Sequence, residues 1–239
     1  MLLAGRVRGR EWYALAALGA LFASNVLFVT NSRSGYVVLV LGIGLLLIWH
    51  TSPKHWIKAL AGLFLLMGIV CLLSPRMQEK ISRGISEWAQ ASESKELTAM
   101  GIRKVFYTHT IEIALNHPVL GVGTGGFKAA YAEQIANRYS PSDWRSDIAS
   151  DPHNQYLAIL VQHGVAGLSV FFIWLVCVVR AKGGPPRYRG LALAILCGWC
   201  ATSLFSSHFR TFAEGHLLTT FLGALLAVSS SEGGKQVGT

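Results

Sequence analysis

Apolar residues run through this chain in long blocks, and polar residues gather in the gaps between them. Six blocks read as membrane-spanning helices, at about 12–30, 36–51, 56–74, 154–179, 190–207 and 215–230, because a helix needs roughly 20 apolar residues to cross a hydrocarbon core. The second block is short, and the "SRSG" before it reads as its first turn. The fourth is long and carries Gly164 and Gly167, which predict a bend or a re-entrant start. The fold class implied is all-α: a polytopic helical membrane protein with about six transmembrane helices. It is read as one membrane domain over 1–239, with a helical cap loop at 75–152 inserted between the third and fourth spans.

Within that loop the period changes. In "RMQEKISRGISEWAQ", Met77, Ile81, Ile85 and Trp88 recur at helical spacing, with Arg76, Lys80, Arg83 and Glu87 elsewhere around the circumference. The pattern predicts an amphipathic helix lying on lipid headgroups. A second helix is expected from about 100 to 116, ended by His117-Pro118. A third, "GFKAAYAEQIANR", follows a glycine-rich turn at 121–126.

Composition agrees with a membrane solvent. The chain is 52% hydrophobic and 14% charged, against about 25% charged in soluble domains. A net charge of +9 would suggest a nucleic-acid partner in a soluble protein, but here the basic residues crowd short loops, so no nucleic acid is expected. Arg6, Arg8 and Arg10 precede the first span, Lys54 and Lys58 follow the second, Arg180, Lys182, Arg187 and Arg189 link the fourth and fifth, and Lys235 follows the last. Every second loop is basic, which predicts cytoplasmic termini and places 29–35, the cap and 207–216 on the outer face. No small-residue cleavage site follows the first block, so it reads as a retained span. Cys71, Cys177, Cys197 and Cys200 all lie in apolar segments, which argues against a disulfide framework. "CGWC" has redox spacing but no βαβ context, and helix packing is the plainer reading.

The polar residues on the predicted outer face carry the candidate chemistry, each with a plainer reading beside it. Arg33 in "NSRSG" stands beside hydrocarbon, where an arginine marks a site or snorkels to lipid phosphate. Arg103, with Tyr107 one turn later, offers a planar fork for phosphate oxygens, or simply a solvated helix face. "HPVLGVGTGGF" is neither a P-loop nor a dinucleotide fingerprint. Its glycines suit a tight turn and close backbone approach, and amides around Gly123 and Gly125 could face an anion. His153, where "SDIASDP" meets an apolar helix, can accept a proton from a hydroxyl near neutral pH, and Asp151, two residues earlier, could orient it; otherwise it is a satisfied interfacial ring. His109, His117, His163, His208 and His216 compete for that role. Arg210 belongs to the same outer layer or contacts headgroups.

Taken in order, these pieces resemble the O-antigen ligase and polymerase family of bacterial membrane glycosyltransferases. The likeness covers about residues 28 to 180: "SRSG" opening a span, an arginine-bearing cap helix before "NHPVLGVGTGGF", and "PHN", with His153-Asn154, nine residues, then Gly164. The resemblance implies a multi-pass protein of the bacterial inner membrane working on its periplasmic face. It would move a glycan from an undecaprenyl-diphosphate carrier to a hydroxyl of the lipid A core, or, in a polymerase, to another repeat unit. No metal, nucleotide sugar or other cofactor is implied. Arg33 and Arg103 would hold the diphosphate and His153 would activate or position the acceptor, with Asn154, Tyr107, Arg210, Gly123 and Gly125 completing the substrate contacts. Members are usually about twice as long, which implies a truncated reading frame, a fragment, or one half of a split protein whose missing N-terminal helices another chain would supply. Two rivals from other classes are a transporter and a non-catalytic subunit of a polysaccharide export complex. A transporter predicts internal repeats and midplane polar residues, and neither is evident; an export subunit leaves the His-Asn-Gly spacing to chance.

Overall fold

The computed structural model describes residues 33–90, 97–181 and 186–227, with scattered positions between 13 and 25. Most of the first predicted span, with Arg6, Arg8, Arg10, Lys182 and Lys235, lies outside the described residues. Every regular element described is helical, with no strand among them. The helices are α1 (Arg33–His50), α2 (Trp56–Leu73), α3 (Pro75–Gln90), α4 (Ala99–Asn116), α5 (Phe127–Ile135), α6 (Gln155–Arg180), α7 (Pro186–Thr202) and α8 (Phe212–Ala227). "SRSG" does open a helix, since Arg33 is the first residue of α1.

Among the described residues, two stretches are long and apolar enough to cross a bilayer, Pro53–Leu73 and Gln155–Arg180. Of the six expected spans, the first lies largely outside the described residues, and two of the other five reach that length. The apolar stretches Gly35–Leu45, Tyr188–Thr202 and Phe212–Ala227 are shorter. At 1.5 Å per residue the 17 residues of α7 reach about 26 Å, less than a hydrocarbon core of about 30 Å. The predicted span 190–207 overran the helix end. Ser203 and Ser207 are buried in turns that follow Thr202, and the apolar pair Leu204-Phe205 between them hid the stop. The large apolar side chains of α2, Phe64, Leu65, Leu66, Leu72 and Leu73, are exposed, which suits lipid as their solvent. The protein is helical and membrane-spanning.

The chain divides into two compact units, one of Met1–Leu63, Val179–Thr202 and Thr211–Thr239, the other of Phe64–Val178 and Ser203–Arg210. In the first, α7 packs on both α1 and α8. In the second, α4 packs on both α3 and α5 around a core of Ile113, Ala114, Phe127, Tyr131, Ile135, Ala149 and Val161. The cap helices form where the pattern placed them. Thr98 caps α4 by accepting from the Gly101 N–H at 3.1 Å, and Pro118, which lacks an N–H and restricts the residue before it, lies just past its end. Asn137, at φ 64°, turns the chain after α5. Along α3, Met77 is buried while Ile81, Ile85 and Trp88 remain exposed. Lys104 Nζ donates to the Trp88 carbonyl at 2.9 Å, tying α3 to α4.

Helix α6 is broken at Gly164, whose φ of 63° and ψ of −164° lie outside helical space. The predicted bend is there, and the glycine-rich loop repairs it. Val122 and Gly123 N–H donate to the Val161 and Gln162 carbonyls, both at 2.9 Å. Past the break, Val165 and Ala166 N–H donate to the Pro118 and Val119 carbonyls at 2.8 and 3.2 Å. Four backbone groups that a kink would strand in an apolar setting are thus satisfied. Only glycine fits at 164: its φ is left-handed, and a Cβ there would run into the Val119 carbonyl.

Candidate functional site

The start of α6 is built by Asn154. Its Oδ1 accepts from the Tyr156 and Leu157 N–H at 2.9 and 3.0 Å, capping the helix, while its Nδ2 donates to the Leu204 carbonyl at 3.1 Å. The residue before it, His153, takes φ 57°, a left-handed conformation that costs a non-glycine residue of order 1–3 kcal/mol. Both its backbone groups are held: its N–H donates to Asp151 Oδ1 at 3.2 Å, and its carbonyl accepts from Tyr107 Oη at 3.2 Å. Asp151 is itself fixed by the Ser207 hydroxyl at 2.6 Å. Its Oδ2 lies 3.8 Å from His153 Nδ1. The ring stacks on Phe106, with centroids 6.0 Å apart and planes 8° from parallel. Its Nε2 has no partner among the described residues, and the side chain is about half exposed.

Arg103, Phe106 and Tyr107 lie three and four residues apart on α4, so they share one face. That face meets the His153 junction, because Phe106 stacks on the ring and Tyr107 Oη reaches both the His153 carbonyl and, at 2.9 Å, that of Leu204. Burial raises the Tyr107 pKa above its ordinary value against the opposing pull of Asn154 and Arg103, which keeps the phenol a donor. Arg103 spends Nη1 on the Ala99 carbonyl at a long 3.4 Å. Its Nε is buried without a partner, and no carboxylate among the described residues pairs with it.

Not every expected residue joins this group. Arg33 opens α1 in the first unit, and its side chain lies outside the described residues. Gly123 and Gly125 serve the backbone: Gly123 N–H is spent on Gln162 O, and Gly125 N–H donates to Gln162 Oε1 at 2.9 Å. The amides expected to face an anion there are taken up internally. Arg210 donates to the Ser150 carbonyl and lines a cavity of about 630 Å³ in the second unit. Gly125, Lys128, Asp151, Gln155 and His163 line it too, whereas Arg103, Tyr107 and His153 do not. Asp151 therefore borders the cavity and holds His153 at the same time.

The profile of the O-antigen ligase family matches residues 18–172, a span that includes both the α4 face and the His153 junction. The chain belongs to the O-antigen ligase family. No curated protein matches it.

The cap of this O-antigen ligase family member also holds a polar network that its sequence did not disclose. His109 is 3% exposed; its Nε2 meets Tyr139 Oη at 2.7 Å and its Nδ1 meets Glu112 Oε2 at 3.3 Å. Gln134 and Arg138 donate to the same Glu112 oxygen. Burial lowers the His109 pKa, and the Glu112 carboxylate only partly offsets that. Burial alone would raise Glu112, but hydrogen bonds from Gln134 and His109, with the Arg138 charge, hold it below its ordinary value. Only the histidine was visible as a candidate, because Tyr139 lies 30 residues away along the chain. Among the described residues, no three His, Cys, Asp or Glu side chains gather as a metal site.

Proposed function

We propose that this O-antigen ligase family member transfers a glycan from an undecaprenyl-diphosphate carrier to an acceptor hydroxyl on the periplasmic face of the inner membrane, with the lipid A core as acceptor. The observation that carries the reading is the α4 face: an arginine with a buried, unpartnered Nε stands one turn from a tyrosine that grips the backbone of His153. An orphaned buried donor calls for an acceptor, and a diphosphate supplies one.

In the reaction, the acceptor oxygen attacks the anomeric carbon and its proton passes to His153 Nε2. The bond from that carbon to the carrier phosphate oxygen breaks, and the diphosphate leaves with the electron pair. Negative charge grows on the leaving group, so a fixed guanidinium at Arg103 stabilises the transition state more than the ground state. Arg33 contributes the second guanidinium. Asp151, near Nδ1, steadies the imidazolium that forms. Asn154, Tyr107 and the Gly123–Gly125 turn position these groups, and Arg210 contacts the acceptor. Direct displacement inverts the anomeric centre. The exposed stripe of α3 keeps the cap at the depth of the carrier headgroup.

The test is a proteoliposome assay with lipid-linked oligosaccharide and two separate acceptors. Lipid A core should acquire glycan, and Arg103→Ala and His153→Ala should each lower transfer by at least about a hundredfold while inserting normally. Lengthened carrier-linked chains in place of modified core would replace ligation with polymerisation. No transfer to either acceptor would favour a non-catalytic export subunit and overturn the proposal.

A further inference from the structure

We propose that the cavity bordered by Asp151 is an acceptor subsite that selects for an anionic substituent, a phosphoryl or carboxylate group, on the sugar offering the hydroxyl. The placing of an acceptor there rests on the transferase reading; the preference for an anion rests on the lining itself.

The lining is electrostatically one-sided. Lys128 and Arg210 contribute fixed positive charge, His163 adds a titratable ring, and Asp151 is the single carboxylate. That carboxylate is already engaged by Ser207 Oγ at 2.6 Å and the His153 N–H at 3.2 Å. Lys128 has no ion-pair partner among the described residues, and its side chain is exposed. A cation without a counter-charge, at the rim of a concave site, raises the local concentration of anions.

The floor supplies a directional donor. Gln155 is 5% exposed; its Oε1 is taken by the Phe209 N–H at 2.8 Å, and its Nε2 makes no hydrogen bond within the described protein. A buried amide with its acceptor spent and its donor free is matched to an oxygen-rich ligand. Gln162 cannot serve this way, because Oε1 holds Gly125 and Nε2 holds the Ala158 carbonyl. The volume of about 630 Å³ falls in the range of small-ligand sites, about 300–1,000 Å³, and suits one or two sugar rings.

Position separates this anion from the carrier's own diphosphate. Arg103 does not line the cavity, whereas Asp151 lines it and comes within 3.8 Å of the His153 ring. A sugar seated there lies one carboxylate away from the proton acceptor.

Equilibrium binding to the full chain in nanodiscs, without lipid-linked donor, tests this directly. The probes are a disaccharide monophosphate, its dephosphorylated form, the matching uronate, and a short-chain prenyl diphosphate. Both anionic sugars should bind roughly tenfold more tightly than the neutral one. Lys128→Gln should erase that difference, and Lys128→Arg should restore most of it. Arg103→Ala should weaken only the prenyl diphosphate. Equal binding of the three sugars, or an unchanged preference in Lys128→Gln, overturns the subsite. So does displacement of the sugar phosphate by the prenyl diphosphate. Anion-selective binding by a protein that transfers nothing would support the subsite while sinking the transferase reading.

Discussion

The interior beneath α4 and α5 and the start of α6 each present a histidine, and the two surroundings are opposites. His109 has both ring nitrogens engaged and the edges of Tyr131 and Tyr139 against it. His153 is half exposed, its Nε2 is unpartnered, and its strained backbone is held from both ends. Closure makes the first ring a structural member, since a hydroxyl could reach it only by displacing Tyr139 or Glu112. Openness makes the second available, and the strain gives it a fixed direction that an ordinary loop would lack. The folded surroundings, more than the residue type, assign the work.

The strongest test of that contrast exchanges the two positions. His153→Ala should lower transfer by about 10²–10⁴-fold, measured on purified protein with lipid-linked donor, whereas His109→Gln should stay close to the wild-type rate. The reverse result would transfer the chemistry to the cap interior. Next in size is Gly164→Ala, which sets a methyl group against the Val119 carbonyl in a left-handed conformation. It should cost about 2–5 kcal/mol, seen as a lower melting temperature and as faster amide exchange at Val122, Gly123, Val165 and Ala166. Unchanged exchange at those four amides would show that the loop does not splint the helix.

The smallest effect is a pH dependence at His109. Its folded pKa is lowered, so the unfolded chain binds the proton more readily. The stabilising contribution is then complete above the ordinary value of about 6.5 and is lost as pH falls towards the folded pKa. Thermal midpoints should decline from pH 7.5 to 5.5, and His109→Gln should flatten that part of the curve. Glu112 acts in the same sense at lower pH, where its carboxylate, held below the ordinary range by its hydrogen bonds and the Arg138 charge, begins to take up protons. A decline of equal size in His109→Gln would assign the effect elsewhere.

What could be read in advance was whatever a short stretch of chain determines. The stripe of α3 and the stop at His117-Pro118 each depend on residues within a turn or two. The spacing from Asn154 to Gly164 is similarly local, and its reason is now visible: one residue caps α6 and the other breaks it ten residues on, about 15 Å along the axis. Arg103 and Tyr107 were legible as neighbours on a helix face. Phe106 between them carries no sequence signal of its own, and only the fold shows that it backs the His153 ring. Tyr139 beside His109, Leu204 beneath Asn154 and Ser207 on Asp151 lie 30, 50 and 56 residues from their partners. No periodicity reports such pairings. The cavity was hidden for the same reason, because Gln155 and Lys128 each read as unremarkable helix positions. Span lengths failed where apolar side chains continued past a helix end, as at Leu204-Phe205.

The splint at Gly164 also dictates where this chain can grow. Its four backbone bonds pair Pro118 through Gly123 with Val161 through Ala166 in one register. A residue added inside that stretch would put every later donor out of step with its acceptor. The stretch from 137 to 150 carries no such matched seam, so length variation among descendants of this sequence should accumulate there and spare the hinge.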